Sequence, residues 1–123
     1  MRVILFKAKR KDNGKWVEGD VMHEPYGACI QYCDNKKRTK VVVIPDTICQ
    51  YTGLTDKNGN KIWENDIVEV IGEEGYFTCE WDDDTARYVL SGDGLTVDFD
   101  NCWSHEIEVV GNILDNPELL EVE

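Results

Sequence analysis

The residues of this chain that could carry chemistry are its carboxylates, its five cysteines and its two histidines. Asp82, Asp83 and Asp84 stand in a row, but an EF-hand calcium loop needs alternating ligands, a central glycine and a distal glutamate. Adjacent side chains on a tight turn point in different directions, so we interpret this run as a solvated hairpin tip. Asp98 and Asp100 would share one face of a regular strand, yet spacing alone does not place two carboxylates at the separation that glycoside hydrolysis requires.

The cysteines and histidines do not form a recognisable motif. No C-x-x-C pair occurs, and the nearest approach to a zinc site is Cys29 and Cys33 with His23. An odd number of scattered cysteines favours reduced thiols packed among strand residues over disulfides or a metal site. A Cys–His catalytic pair would have to be assembled in the fold around His23 or His105. We therefore predict no catalytic residues, no cofactor and no metal, and we expect that the chain is not an enzyme.

Charge is unevenly distributed along the 123 residues. Residues 1–54 hold ten Lys/Arg and six Asp/Glu, a balance of +4, whereas residues 55–123 hold three Lys/Arg and nineteen Asp/Glu, a balance of −16. Because phosphate contacts require cationic side chains, the C-terminal part is unsuited to general nucleic-acid binding. The simplest interpretation is an acidic surface that keeps the protein soluble, and the functional one is attraction of a basic partner.

Aromatic rings are interspersed with cations in the N-terminal half, as on surfaces that bind single-stranded nucleic acid. The set comprises Phe6, Trp16, Tyr26 and Tyr32 with Lys7, Lys9, Arg10, Lys11, Lys15 and the run Lys36–Arg38. A core of rings with solvated lysines around it would give the same pattern. We favour that second interpretation, because a small β domain needs its rings for stability.

The elements that must position these residues are short strands separated by turn signals. Asn13-Gly14 predicts a first hairpin between Arg2–Arg10 and Lys15–His23, because both turn residues tolerate positive φ. Ala28–Cys33 and Thr39–Ile44 predict a second hairpin with a polar, basic connection. Further strands follow at intervals of about 8–12 residues, a spacing typical of a small barrel or sandwich.

We predict a mostly β protein with an N-terminal β-hairpin region at residues 1–54. Residues 55–123 are expected to form an acidic, SH3-like, partly open β-barrel, and the two regions together one compact unit. Asn116-Pro117-Glu118 predicts a short helical turn near the C-terminus. No apolar run reaches the roughly 18 residues of a membrane span, and the apolar start of the chain ends at Lys7 without a cleavage site. We therefore expect a cytoplasmic protein.

The most distinctive residues lie in Gln50–Val70, QYTGLTDKNGNKIWENDIVEV. Together with Phe6-Lys7-Ala8, Ile107–Ile113 and Asp115–Leu120, this segment resembles the YopX family of phage and prophage proteins. The resemblance implies a β-rich protein from phages or prophages of Gram-positive bacteria, and it transfers no reaction. Asn65 stands where that family usually has glycine. Because asparagine also adopts positive φ, we expect the turn to be preserved.

We expect a phage accessory protein that binds a host or phage protein through its acidic surface without catalysis. The alternative is a nucleic-acid-associated module that uses the basic N-terminal hairpins. Trp63, Glu64 and Asp66 lie where the charge changes sign, and they are the candidate contact residues. Asp66 is also expected to cap a turn. Complementary charge on the two halves further leads us to expect self-association.

Overall fold

Short runs of β-branched and aromatic residues between turn residues form the strands of this protein. A computed structural model describes residues 4–92, 95–98 and 106–120, without the side chains of residues 95, 97 and 98. The predicted mostly β class is confirmed in these ranges. None of the helices in the same ranges is long and apolar enough to cross a membrane. The chain divides into two compact units, Met1–Tyr51 and Thr52–Glu123.

The first unit is built on an antiparallel sheet. Its strands are β1 (Phe6–Lys9), β2 (Trp16–Glu24), β3 (Gly27–Asp34), β4 (Lys37–Val43) and β5 (Cys49–Thr55). They are hydrogen-bonded in the order β4-β3-β2-β1-β5, and the end of β5, which lies in the second unit, pairs with β6 (Lys61–Trp63). A 3₁₀ helix, Pro45–Thr47, joins β4 to β5.

The end of β4 returns to the end of β1. The Ile44 N–H donates to the Lys9 carbonyl at 2.9 Å, and the Lys11 N–H donates to the Val42 carbonyl at 3.0 Å. The core of the unit is buried between these strands and consists of Ala8, Ala28, Ile30 and Val43, with six half-buried apolar side chains packed against it. Because side chains alternate along a strand, the lysines of β1 fall on the face opposite Phe6 and Ala8.

At Gly19 the neighbouring strands β2 and β3 approach each other closely. It lies opposite Phe6 in β2, and a Cβ atom at this position would stand 2.3 Å from the carbonyl oxygen of Gln31. The obstacle is backbone of the neighbouring strand β3, which cannot rotate away as a side chain can. Any side chain at position 19 therefore has to push β2 and β3 apart.

We expect Gly19→Ala to lower the free energy of unfolding by about 1–3 kcal/mol, the usual cost of overpacking. Urea unfolding followed by circular dichroism measures the change. Asp20→Ala is the matched control, because Asp20 is the exposed next residue of the same strand and its replacement should cost about 0.5 kcal/mol or less. Equal stability of the two variants would contradict the close approach.

The second unit contains a five-stranded antiparallel sheet. Besides β6, its strands are β7 (Asp66–Val70), β8 (Phe77–Asp82), β9 (Arg87–Gly92), β10 (Leu95–Asp98) and β11 (Ile107–Asn112). The order β10-β9-β8-β7-β11 is a meander of four strands, β7 to β10, whose first strand, β7, also pairs with β11. The described strands thus form two antiparallel sheets and no closed barrel, and the SH3-like form of this region stays a prediction.

The core of the second unit lies on one face of this sheet. It consists of Ile62, Val68, Val70, Phe77, Cys79, Leu90 and Ile107, with Leu54, Tyr88 and Val109 packed against it. A 3₁₀ helix, Pro117–Leu120, forms the expected helical turn near the C-terminus. The Asn116 side chain precedes it and accepts a hydrogen bond from the Asn112 N–H at 3.3 Å, which ties the turn to β11.

Candidate functional site

The turn between β6 and β7 is held by Asp66. Its carboxylate is 3% exposed and accepts a hydrogen bond from the Trp63 N–H at 2.8 Å. Asn65 has a φ of 75°, so the expectation that asparagine preserves this turn is confirmed. The Asn65 N–H donates to the Cys79 carbonyl at 2.8 Å, and its own carbonyl accepts from the Ile113 N–H at 3.0 Å. Asp66 therefore caps the turn as expected, and the turn connects β8 to the C-terminal segment.

This geometry bears on the three candidate contact residues. Trp63 is 5% exposed, Asp66 is buried and Glu64 is half-buried. A partner would reach little of the first two without opening the turn. Their role as contact residues stays a prediction, whereas their role in positioning β7 follows from the hydrogen bonds.

A second buried carboxylate, Asp56, organises the loop that precedes β6. Its Oδ1 accepts from the N–H groups of Asn58 and Asn60, both at 2.9 Å, and its Oδ2 accepts from the Val109 N–H at 3.0 Å. The Asn60 amide lies 3.4 Å from Oδ2. The Lys57 N–H donates to the Ile107 carbonyl at 2.9 Å. One carboxylate thus shapes its own loop and fixes that loop to β11, 53 residues further along the chain.

Two opposing effects act on the pKa of Asp56. Burial would by itself raise the pKa of this carboxyl, but the N–H groups of Val109, Asn60 and Asn58 stabilise its charged form and lower the pKa below the ordinary value. A carboxyl with a lowered folded-state pKa stabilises the fold at neutral pH. Asp56 is therefore a structural anion and is unsuited to act as a general acid.

We expect Asp56→Asn to lower the free energy of unfolding by about 2 kcal/mol or more, because the amide cannot accept from every buried N–H that the carboxylate satisfies. The contribution of Asp56 is complete above its unfolded pKa of about 3.9 and is lost as pH falls through the lower folded pKa. Urea unfolding at about pH 7 and about pH 3 should show the difference between wild type and variant shrinking in acid. Asp83→Asn, at an exposed position, is the control, and an equal loss in both variants would contradict the assignment.

Three of the four described cysteines are buried in the fold. Cys29, Cys49 and Cys79 are buried free thiols, and Cys33 is exposed. Burial, together with the nearby charges of Asp66 and other carboxylates, raises the pKa of the Cys79 thiol. No group of three or more His, Cys, Asp or Glu side chains in the described ranges is placed to hold a metal ion. The remaining sequence candidates, Asp100, Cys102 and His105, lie outside the described residues.

We expect iodoacetamide to alkylate Cys33 in the folded protein and to spare the three buried thiols until denaturant is added, because only an accessible thiolate reacts. Peptide mapping by mass spectrometry assigns each label and separates Cys102 from the others. Cys33→Ser should abolish labelling of the native protein at the described positions. Rapid native labelling of Cys79 would overturn this account of the core.

The exposed part of the β8–β9 hairpin combines aromatic rings with carboxylates. Trp81 is 43% exposed, and its ring lies edge-on to Tyr88 with 5.1 Å between centroids. The two residues face each other across the hairpin, and the segment that connects them contains Asp82, Asp83 and Asp84. We call these five residues the acidic aromatic edge.

The turn of this edge is ordered by its own side chains. Asp82 accepts from the Asp84 N–H at 3.0 Å and from the Thr85 hydroxyl at 2.9 Å, while Asp83 and Asp84 are exposed. The expectation of a solvated hairpin tip is thereby confirmed. Sequence reasoning missed the ring pair, because a turn predicted at Asp82–Thr85 would place Trp81 opposite Ala86. In the structure, Trp81 and Tyr88 are equidistant from the centre of the turn, so hairpin pairing places them opposite each other.

Comparison with known proteins identifies the family. A family model described as "YopX protein" matches residues 5–121. The chain belongs to the YopX family. A search of curated protein sequences found no match. The crystal structure of protein EF1440 from Enterococcus faecalis is similar to this YopX chain, with a TM-score of 0.62, 22% sequence identity and coverage of 98% of this chain and 100% of that one. At this identity the similarity shows a shared fold.

Proposed function

We propose that this YopX chain is a cytoplasmic phage or prophage accessory protein that binds a basic host or phage protein without catalysis. The contact surface is the acidic aromatic edge of the second unit, in which an SH3-like arrangement of strands presents the β8–β9 hairpin. The strand order supports that arrangement, because an SH3-like barrel requires a four-strand meander whose first strand also pairs with a fifth strand, as β7 pairs with β11.

The observation that carries this proposal is the exposed Trp81 ring held against Tyr88. Tryptophan and tyrosine are enriched among the residues that contribute most to protein interfaces, and an ordered ring loses little conformational entropy on binding. Trp81 keeps 43% of its surface in water, although Phe77 and Cys79, apolar residues of the same strand, are buried. A partner that covers this ring would remove apolar area that the fold itself leaves exposed.

Charge determines the class of partner. Residues 55–123 have a balance of −16, and the turn beside Trp81 exposes Asp83 and Asp84. Arg87 is the cation of this hairpin, and its Nε donates to the Thr85 hydroxyl at 3.2 Å. A surface of this sign accelerates association with cationic surfaces and disfavours anionic ones. Lysine and arginine side chains of a partner also suit the Trp81 ring through cation–π attraction.

The test begins with affinity capture from lysate of a Gram-positive host at low and high salt. We expect a captured protein that is basic and that dissociates as salt rises. With that protein purified, Trp81→Ala should weaken binding about tenfold or more, the effect of removing an interface anchor. Combined Asp83→Asn and Asp84→Asn should slow association and reduce its salt dependence.

Tyr26→Ala is the matched control, because Tyr26 is an aromatic residue of the first unit that is 71% exposed. Its removal should leave the affinity unchanged. Capture of no protein at low salt would refute the binding proposal, and equal affinities of wild type and Trp81→Ala would refute the assigned surface. Nucleic-acid association, the alternative function, would use a different surface on the first unit.

A further inference from the structure

The outward face of β1 carries a row of lysines beside a tryptophan. Lys7 and Lys9 alternate with the inward-facing Phe6 and Ala8. Lys11 is the exposed first residue of the turn that follows Arg10. Alternate residues of an extended strand lie about 6.5–7 Å apart on the same face. Lys9 pairs with Trp16 on β2, which places the ring within the row.

The Trp16 ring orders two of these lysines. The Lys7 ammonium lies 4.4 Å from the ring centroid and the Lys9 ammonium 5.5 Å from it. Cation–π attraction holds each ammonium near the ring. Two carboxylates share this face of the sheet, Glu18 opposite Lys7 and, one alternation further along β2, Asp20. The positive charge is therefore held in place before a ligand arrives, which reduces the entropy lost on binding.

The row continues into an open groove of about 630 Å³ where the end of β4 meets β1. Its walls are Arg10, Lys11, Asp12, Lys40, Val41 and Val42. Arg10 is paired with Asp12 at 2.9 Å, and Lys40 with Glu24 at 2.7 Å. Among the described residues none pairs with the Lys11 ammonium, and Val42 is 43% exposed. The groove thus combines a cation available to a ligand with an apolar surface.

We propose that this face, formed by Lys7, Lys9, Lys11, Trp16 and the groove beside Val42, binds single-stranded nucleic acid. The phosphates of a nucleic-acid strand match the ammonium groups of Lys7, Lys9 and Lys11, and its flat bases match the Trp16 ring and the apolar surface of Val42. An acidic peptide would match the charge but would make no use of the ring. The acidic half opposes any polyanion at long range, and at about 0.15 M salt charges beyond about 8 Å are largely screened.

Fluorescence anisotropy with a labelled oligothymidylate of about 12 nucleotides tests the site. Three phosphate contacts predict that log K falls with log salt at a slope of about −2, and Lys11→Gln should reduce its magnitude by about 0.7. Lys36→Asn is the matched control. It removes the same charge from the exposed β3–β4 turn, where the φ of 66° suits asparagine.

The ring is tested separately from the charge. Trp16→Leu should weaken binding about fivefold or more, whereas Trp16→Phe, which retains a ring, should retain most of the affinity. Thermal melting by circular dichroism checks that both variants fold. If Trp16→Leu does not fold, the comparison of Lys11→Gln with Lys36→Asn still tests the proposal.

Four results would overturn the proposal. They are absence of binding at low salt, equal affinity for a duplex of the same length, equal effects of Lys11→Gln and Lys36→Asn, and salt-sensitive self-association without oligonucleotide binding. The last result would assign the basic face to the acidic half of a second copy. Binding here and capture of a protein partner by the acidic aromatic edge are independent, because the two surfaces share no residue.

Discussion

The second unit depends on a buried carboxylate that has no cationic partner at hydrogen-bonding distance among the described residues. Asp56 is stabilised by backbone N–H groups, two from its own loop and one from Val109 of β11. Burying a charge in this way is favourable only when hydrogen bonds replace the lost water. β11 in turn pairs with β7, the first strand of the meander, so the Asp56 loop is linked through β11 to the meander. The distinctive central segment is therefore chiefly a connector between elements that are distant in sequence.

That role explains why Asp56, Trp63 and Asp66 of this segment are buried. Asp66 and Trp63 hold the β6–β7 turn, and Asn65 provides its positive φ and two backbone hydrogen bonds. Such positions restrict residue type because the backbone geometry leaves few alternatives. The residues of the two proposed contact surfaces lie elsewhere, at the β8–β9 hairpin of one unit and along β1 of the other. The residues that hold this turn together are therefore different from those that we propose to contact partners.

The two proposed contact surfaces, the acidic aromatic edge and the basic face of β1, are built in the same way but carry opposite charge. In each, antiparallel pairing places an aromatic ring beside charged side chains, with lysines at Trp16 and aspartates at Trp81. Exposed apolar area and surface charge contribute differently to recognition. Burial of the apolar area contributes affinity, whereas the charge contributes association rate and selectivity. Because the charges are opposite, the classes of partner should be opposite too.

The sequence by itself determined the strands, the turns and the family, because period-two alternation, Asn-Gly pairs and turn glycines are local properties of the chain. It also determined the division of charge and the solvated tip at Asp82–Asp84. Only the tertiary structure decided that Asp56 binds Val109, that Trp63 is buried and that Trp81 is exposed. These outcomes depend on which strands pair at long range, and one sequence carries no direct signal for that. Burial is set by the neighbours that a fold brings together, and residue type alone does not specify them.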